Sequence, residues 1–466
     1  MRKLALVIAG LLLYVVQGYA SVKLIFGDGA PANRIRIIFV SEGYTSSQIA
    51  RFDADARRTY GQFINETFYS VFNAAINAYE VDTVSQDSGA DPTPSNNTVN
   101  TAFDASFGNS GIDRLLCVND AKVSSFLLKK IPNYDPNYDI TLVVVNSSTY
   151  GGSGGQIACT SVNSSAPQIA VHETGHSFAN LADEYTDAYP GWTQAEYPNS
   201  THFTTRAQIP WAAWIAQSVP LPTPDVTAYA DSVGLFEGCQ YMTTGWYRPQ
   251  HTCKMQTLGI PFCKVCTEAH AVSAWDQLSA IDSVSPATAD TVRLPGQGTL
   301  SVKPLPLSPL PAISWYVNGT KVSSTTGVLD LSTAGLKAGA NTVKAIVSDR
   351  SGLMHEPSHL NLGVDTAAWI VKSPLTSVVS IDAAFRNGLE LIALGRSHLS
   401  VTAPAAVFCE IQVFSPQGRC EAAVKGVALG AGTSIVSLPH ELPAGCHIAL
   451  LSLPLSQPTR KLLLVR

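Results

Sequence analysis

Gln168-Ile-Ala-Val-His172-Glu173-Thr-Gly-His176-Ser-Phe-Ala-Asn-Leu-Ala-Asp183-Glu184-Tyr185 is the stretch from which the rest of the chain is read. On a helix, positions i and i+4 share a face, so His172 and His176 point both imidazoles at one ion. Glu173 follows the first ligand and reaches a water beside the ion rather than the ion itself. This is the H-E-x-x-H arrangement of zinc sites. Zinc acidifies a water and polarises a carbonyl. Glu173 would take the proton of the attacking water and pass it to a leaving amine. Thr174 and Gly175 are small, where a substrate must approach. Zinc of this kind needs a third protein ligand and one open position. Asp183, past the expected end of the helix, is the best placed, and Glu184 beside it stays open. His202 and His251 are remoter choices.

The rest of the 466 residues supplies the setting. Hydrophobic residues make up 45% of the chain, enough for a sizeable core, whereas charged residues are only 14%, well under the roughly 25% of an average soluble protein. A net charge of -5 builds no concentrated positive field, which argues against nucleic-acid binding. Arg2 and Lys3, the apolar run Leu4 to Val16, and Gly18-Tyr19-Ala20 read as a signal peptide over 1–20, cleaved after Ala20. The expected location is therefore secreted or cell-surface, where disulfides persist.

Arg34-Ile-Arg-Ile-Ile-Phe-Val40 and Ile140-Thr-Leu-Val-Val-Val145 read as strands. Ser46 to Phe72 reads as helical, with Ile49, Phe52, Ala56, Tyr60, Ile64, Phe68 and Phe72 along one face. Beyond Pro286 the runs become short and alternating, with turns at Asn318-Gly319 and Lys337 to Asn341, the pattern of a small β-sandwich. The tail from 385 is again short strands and turns. Strand 140–145, with Tyr150 and the glycine run Gly151-Gly-Ser-Gly-Gly155, offers backbone pairing to an extended peptide. No Gly-Lys-Ser/Thr follows that run, so it is not a phosphate-binding loop.

Several separated blocks resemble the M64 family of zinc metallopeptidases, the family of bacterial immunoglobulin A peptidase. They are Phe39-Val-Ser-Glu-Gly-Tyr-Thr45, the His172–Tyr185 stretch, Gly234-Leu-Phe-Glu-Gly238 with Tyr247-Arg-Pro249, and Cys253-Lys-Met255 with Phe262-Cys-Lys-Val-Cys266-Thr-Glu268. The resemblance spans about 23–280 and implies a zinc-dependent endopeptidase acting on an extracellular protein or peptide. It also implies an extended zinc helix over a methionine, as in the metzincins, with Met255 the candidate and Met242 the alternative. Metzincins place the third ligand ten residues after the first histidine; here that position is Ala182, and the acid comes one residue later. For stabilising the developing oxyanion, Tyr247 is the candidate and Arg248 the alternative. Glu237 is a candidate for holding a ligand histidine in its tautomer.

Cys117 and Cys159 suggest a disulfide. Cys239, Cys253, Cys263 and Cys266 suggest either disulfides or a second, structural zinc. Cys409, Cys420 and Cys446 leave one over. The tail resembles a type IX secretion sorting domain through Ile411 to Arg419, Leu442-Pro-Ala-Gly-Cys446 and Arg460 to Arg466, which implies outer-membrane secretion machinery as a partner. The expected fold class is α/β: a metzincin-like zinc peptidase domain over 21–285, then small all-β sandwich domains. These are an immunoglobulin-like β-sandwich over 286–366 and a β-rich C-terminal domain over 367–466. Two other readings remain, a zinc amidase acting on cell-wall peptides and a catalytically weak surface adhesin.

Overall fold

The computed structural model describes residues 21–30, 32–189, 191–294, 296–373, 390–403, 406–415, 417–443, 447–452 and 463–465. The expected signal peptide, Cys446 and most of the final sorting motif lie outside them.

The first unit is built on a six-stranded sheet. Its elements run β1 (Val22–Phe26), β2 (Ile35–Glu42), α1 (Phe52–Phe63), α2 (Thr67–Phe72), β3 (Ile76–Val81), α3 (Asp120–Lys130), β4 (Ile140–Val145), β5 (Gly152–Ser153), β6 (Ile157–Thr160), α4 (Ala166–Ala179), β7 (Phe236–Cys239), β8 (Met242–Arg248) and α5 (Lys264–Gln277). The strand order is β1-β3-β2-β4-β6-β5. The four middle strands are parallel, and both outer strands are antiparallel to their neighbours. Strands buried on both faces are continuously apolar, and β4 (ITLVVV) is buried at every position. Alternate residues serve opposite cores. Ile35, Ile37, Phe39, Leu142 and Val144 pack towards α1 and α4. Ile38, Val40, Val143 and Val145 pack towards Val123 and Leu127 of α3. Strand 140–145 thus has both edges occupied, by β2 and β6, and offers no free edge to a peptide.

The helix expected over 46–72 is broken in two. Glu66 leaves helical geometry, at φ -86 and ψ 141. Its carboxylate is buried, accepts from the Phe262 amide at 2.9 Å and pairs with Lys254 Nζ at 3.0 Å. A carboxylate drawn inwards to a buried ammonium outweighs the helical periodicity around it.

A two-sheet unit follows. One sheet has the order Thr291–Arg293, Val364–Ser373, Gly339–Ser348, Ala312–Val317, Thr320–Lys321; the other has Val328–Asp330, Thr299–Pro304, Ile281–Ser285. Its strands run from Ile281 to Ser373 and enclose stacked Trp315 and Trp369, with centroids 5.8 Å apart. Its core is continuous with that of the first unit. Polar anchors reinforce the junction. Asn33 bonds across Ser279 and Ile281, and Asp365 accepts from Ser279 and Ala280. Glu268 of α5 accepts from the backbone of His355 and Glu356. Of the tail, Glu390–Leu394, His398–Ala403 and Gly432–Ser437 form one sheet, and Val407–Phe414, Cys420–Leu429, His447–Ser452 and Leu463–Val465 another. Among the described residues no helix is long and apolar enough to cross a membrane.

Arg34, at the foot of β2, is buried and bonds both Asp282, at 2.6 Å, and Asp28, at 2.8 Å. Arg34 holds the Asp28 carboxyl down to about 2. Burial alone would raise Asp282, but the guanidinium outweighs it and the net shift is downward. Both carboxylates therefore contribute stability that is complete above the ordinary value of 3.8 and is lost as pH falls below it, through about 2 for Asp28. Arg34→Met is expected to lower stability at neutral pH by about 3 kcal/mol in urea unfolding. It should also flatten the stability-against-pH curve between those limits.

Candidate metal centre

α4 begins with Pro167 in its first turn, where a missing N–H costs nothing. It ends at Asn180, in the left-handed region at φ 50 and ψ 44, a conformation that asparagine tolerates. That residue turns the chain back against its own helix. The Leu181 amide donates to the Gly175 carbonyl, and Leu181 to Tyr185 then pass beside His172 and His176.

The two imidazoles and one carboxylate converge. His172 Nε2 lies 3.1 Å and His176 Nε2 3.4 Å from Asp183 Oδ1. A tetrahedral ion with bonds of about 2.0–2.1 Å would separate its ligands by about 3.3 Å, so the spacing fits zinc with His/His/Asp ligation. The opposite ring nitrogens are held by carbonyls: His172 Nδ1 donates to Lys254 O at 2.9 Å, and His176 Nδ1 to Leu181 O at 2.7 Å. This fixes both tautomers and leaves the Nε2 lone pair of each ring free to bind an ion. Glu173 lies within 4.8 Å of the His172 and His176 ligand atoms.

The acidic segment is clamped from outside the helix. Buried Asn199 donates to Ala182 O and accepts from Ala182 N, and its amide also reaches Glu184 Oε1 at 3.0 Å. The β7–β8 turn receives the other side: Gln240 N donates to Asp183 O and Tyr241 N to Tyr185 O. Gln240 and Tyr241 both have positive φ, 50 and 65, a strained state for non-glycine residues. The strained turn aims the Tyr241 hydroxyl at Asp183 Oδ2, to which it donates. Tyr185 stacks on His172 with centroids 5.9 Å apart.

The glycine run lies against the centre. A Cβ on Gly154 would fall 2.9 Å from Glu173 Oε2 and 2.9 Å from His176 Cδ2. Gly175 faces the interior instead of a substrate: a Cβ there would meet Met255 Sδ at 2.8 Å and Phe262 at 3.3 Å. Met255 is fully buried beneath α4, whereas Met242 is exposed.

Other expected residues sit elsewhere. Tyr247 belongs to the apolar core and pairs through its backbone with Thr201 and Glu237. Arg248 is spent on the carbonyls of Glu237 and Gly238 and on Asp225. Glu237 accepts from Gly245 and holds neither ligand histidine; backbone carbonyls do that work. His202 pairs with Glu196 and His251 with Asp225. Glu184 turns away from the histidines, which leaves Asp183 as the acid facing them. The eight described cysteines are all free, so the expected Cys117–Cys159 disulfide is not formed. Tyr241, Tyr185 and Asn199 escaped the sequence reading.

The electrostatics match a cation site. Burial opposes a charge on His176, but Asp183 outweighs it and raises the ring to about 9. Burial likewise opposes His172, and its hydrogen bond to Asp183 raises it net. Burial would raise Asp183, but the two imidazoles hold it far below the ordinary range. Glu173 is raised by burial, partly offset by both histidines.

The profile of the family described as IgA Peptidase M64 matches residues 24–229 and 225–273, more than half of the chain. No curated protein matches. Similar solved structures include a Parabacteroides merdae β-glucuronidase at 7% identity, covering 48% of this chain and 28% of that one, with a TM-score of 0.14. Latent PorU from Porphyromonas gingivalis is similar at 10% identity over 40% of this chain and 20% of that one, also at 0.14. Fibronectin(III)-like modules of Clostridium thermocellum CbhA are similar at 16% identity over 40% and 93%, at 0.14. The chain spans little more than a quarter of the length of the first of these, and likenesses this slight carry no argument.

Gly175→Ala is expected to cost about 1–3 kcal/mol through overpacking against Met255. Gly61→Ala, inside α1 with nothing within 4 Å of its added carbon, should gain up to about 1 kcal/mol. Urea unfolding of the two variants beside the parent checks the contrast.

Proposed function

The chain belongs to the IgA Peptidase M64 family, and from that premise we propose that it is an exported zinc-dependent endopeptidase with His172, His176 and Asp183 as metal ligands. The observation that carries the reading is the convergence of two Nε2 atoms on one carboxylate oxygen, at 3.1 and 3.4 Å. Zinc bound there would supply Lewis acidity to a water and to the scissile carbonyl. Glu173 takes one proton from the attacking water as the new C–O bond forms. It returns that proton to the amide nitrogen as the C–N bond breaks. Its upward-shifted pKa suits a group that must both accept and donate. Tyr241 acts through Asp183 as a positioning residue.

Gly154, whose missing side chain would otherwise press on Glu173 and His176, keeps that face of the centre clear for an extended substrate. An extracellular protein or peptide is the proposed substrate class. Proposed metzincin kinship rests on Met255 lying under the zinc helix and on the acid that follows it. The basic, apolar leader and the tail's sorting-domain resemblance support export through outer-membrane secretion machinery, with the product released or retained at the surface.

Glu173→Gln should lower kcat/KM on an unstructured protein substrate by at least about 10²–10⁴-fold, with zinc content unchanged. Full turnover by that variant would exclude Glu173 as the base. A parent protein that binds zinc yet cleaves nothing would favour the adhesin reading. Tyr241→Phe should weaken zinc by about 10–100-fold, read by competition with a chelating dye, whereas Tyr247→Phe should leave zinc affinity as it is.

A further inference from the structure

A second cluster lies behind the first. Cys253, Cys263, Cys266 and Glu184 each offer a ligand atom, and these atoms all lie within 4.8 Å of one another. All four residues are buried, at 0%, 5%, 0% and 0% exposure. Cys239, the fourth cysteine of the sequence grouping, is not a member; its thiol faces the Asp183 carbonyl. Glu184 takes its place.

We infer that Glu184, Cys253, Cys263 and Cys266 form a structural zinc site, back to back with the His172–His176–Asp183 centre. Three observations converge on it. The first is spacing. Cys253 Sγ and Cys266 Sγ are 3.6 Å apart, and Cys266 Sγ is 3.8 Å from Glu184 Oε1. A tetrahedral zinc with bonds of about 2.3 Å to sulfur and about 2.0–2.2 Å to oxygen places such pairs about 3.5–3.8 Å apart. The second is an unmet need. Glu184 Oε2 is buried with no hydrogen-bond partner, although its other oxygen is held by Asn199. A buried carboxylate oxygen left bare is costly, and a cation meets that cost. The third is the backbone. The Cys263 amide donates to Cys253 Sγ at 3.3 Å, and the Cys266 amide to Cys263 Sγ at 3.4 Å, with Cys263 capping the N-terminus of α5. Amide donors aimed at sulfur favour thiolates over thiols. On binding, the thiols release their protons to solvent and the ion takes four ligands with no open position, the closed coordination of a structural site.

This placement gives the ion a task. Asp183 and Glu184 are neighbours that face different centres. Lys254, whose carbonyl holds His172, lies between Cys253 and Met255, and the Met255 carbonyl accepts from the Glu184 amide at 2.9 Å. One ion thus ties together the acidic segment, the methionine turn and the start of α5, the pieces that support the first centre.

The test is metal stoichiometry of the full chain purified without chelator or reductant, by native mass spectrometry and elemental analysis. The parent should carry two zinc ions per chain. His172→Ala/His176→Ala should carry one, and its cobalt-substituted form should show the near-ultraviolet sulfur-to-metal charge-transfer band that a His/His/Asp site cannot produce. Glu184→Gln, which keeps the Asn199 bond, should retain the first ion and lose or weaken the second, which covers the case in which cysteine variants do not fold. One ion in the parent and none in the double histidine variant would overturn the inference. So would a disulfide among Cys253, Cys263 and Cys266 in non-reducing peptide mass spectra, or a cobalt form without the sulfur band.

Discussion

Two electron-rich atoms, His172 Nε2 and His176 Nε2, are held 3.1 and 3.4 Å from a third, Asp183 Oδ1, in a largely buried place. Such an arrangement is unfavourable unless positive charge sits among them. Asp183 raises both imidazoles, His176 to about 9, and they in turn hold its carboxyl down. Much of the surrounding structure serves to keep the three from relaxing apart. Carbonyls of Lys254 and Leu181 hold the far side of each ring, Asn199 grips the Ala182 backbone before the acid and the Glu184 carboxylate after it, and the β7–β8 turn accepts backbone strain to bring Tyr241 to the second carboxylate oxygen.

The His172–His176 pairing was legible in the sequence because helical spacing alone puts i and i+4 on one face. Asp183 was legible as a candidate because the chain had room to turn; what fixes it is the left-handed Asn180 and a clamp from Asn199, residues that carry no ligand chemistry of their own. Strand 140–145 was plain because it is apolar throughout, but its inner place in the sheet, set by partners β2 and β6, could not be read from it. The helix over 46–72 misled because periodicity is local, whereas the Glu66–Lys254 pair that breaks it joins distant parts of the chain. Tyr241 was hidden in the same way: a Gln-Tyr pair is no turn signal, and only the hairpin's contact with residues 183 and 185 gives it meaning. Tyr247 lay in a block that resembles the family, but its burial in the core was invisible.

The two-sheet unit reads in sequence as a separate module, from its change of period and its turns. In three dimensions it shares a core with the peptidase unit, and buried Glu268 extends from α5 to bind two of its amides. α5 is also the helix whose first turn holds Cys263 and Cys266. The sheets therefore brace an element that itself abuts the candidate centre, in contrast to a module joined by a flexible linker.

Arg34 and Asp282 are far apart in the chain and meet at 2.6 Å, which closes nearly the whole peptidase unit into a loop. In mechanical terms this is a load path. Tension entering from the C-terminal side arrives at Asp282 and passes through Arg34 to the foot of β2, a strand hydrogen-bonded along both edges. To shear such a strand, many backbone bonds must yield together. None of His172, His176 and Asp183 is bonded to Arg34, Asp282, Asp365 or Glu268, so a pull on the C-terminal side would be borne by the scaffold while those three side chains stay in register.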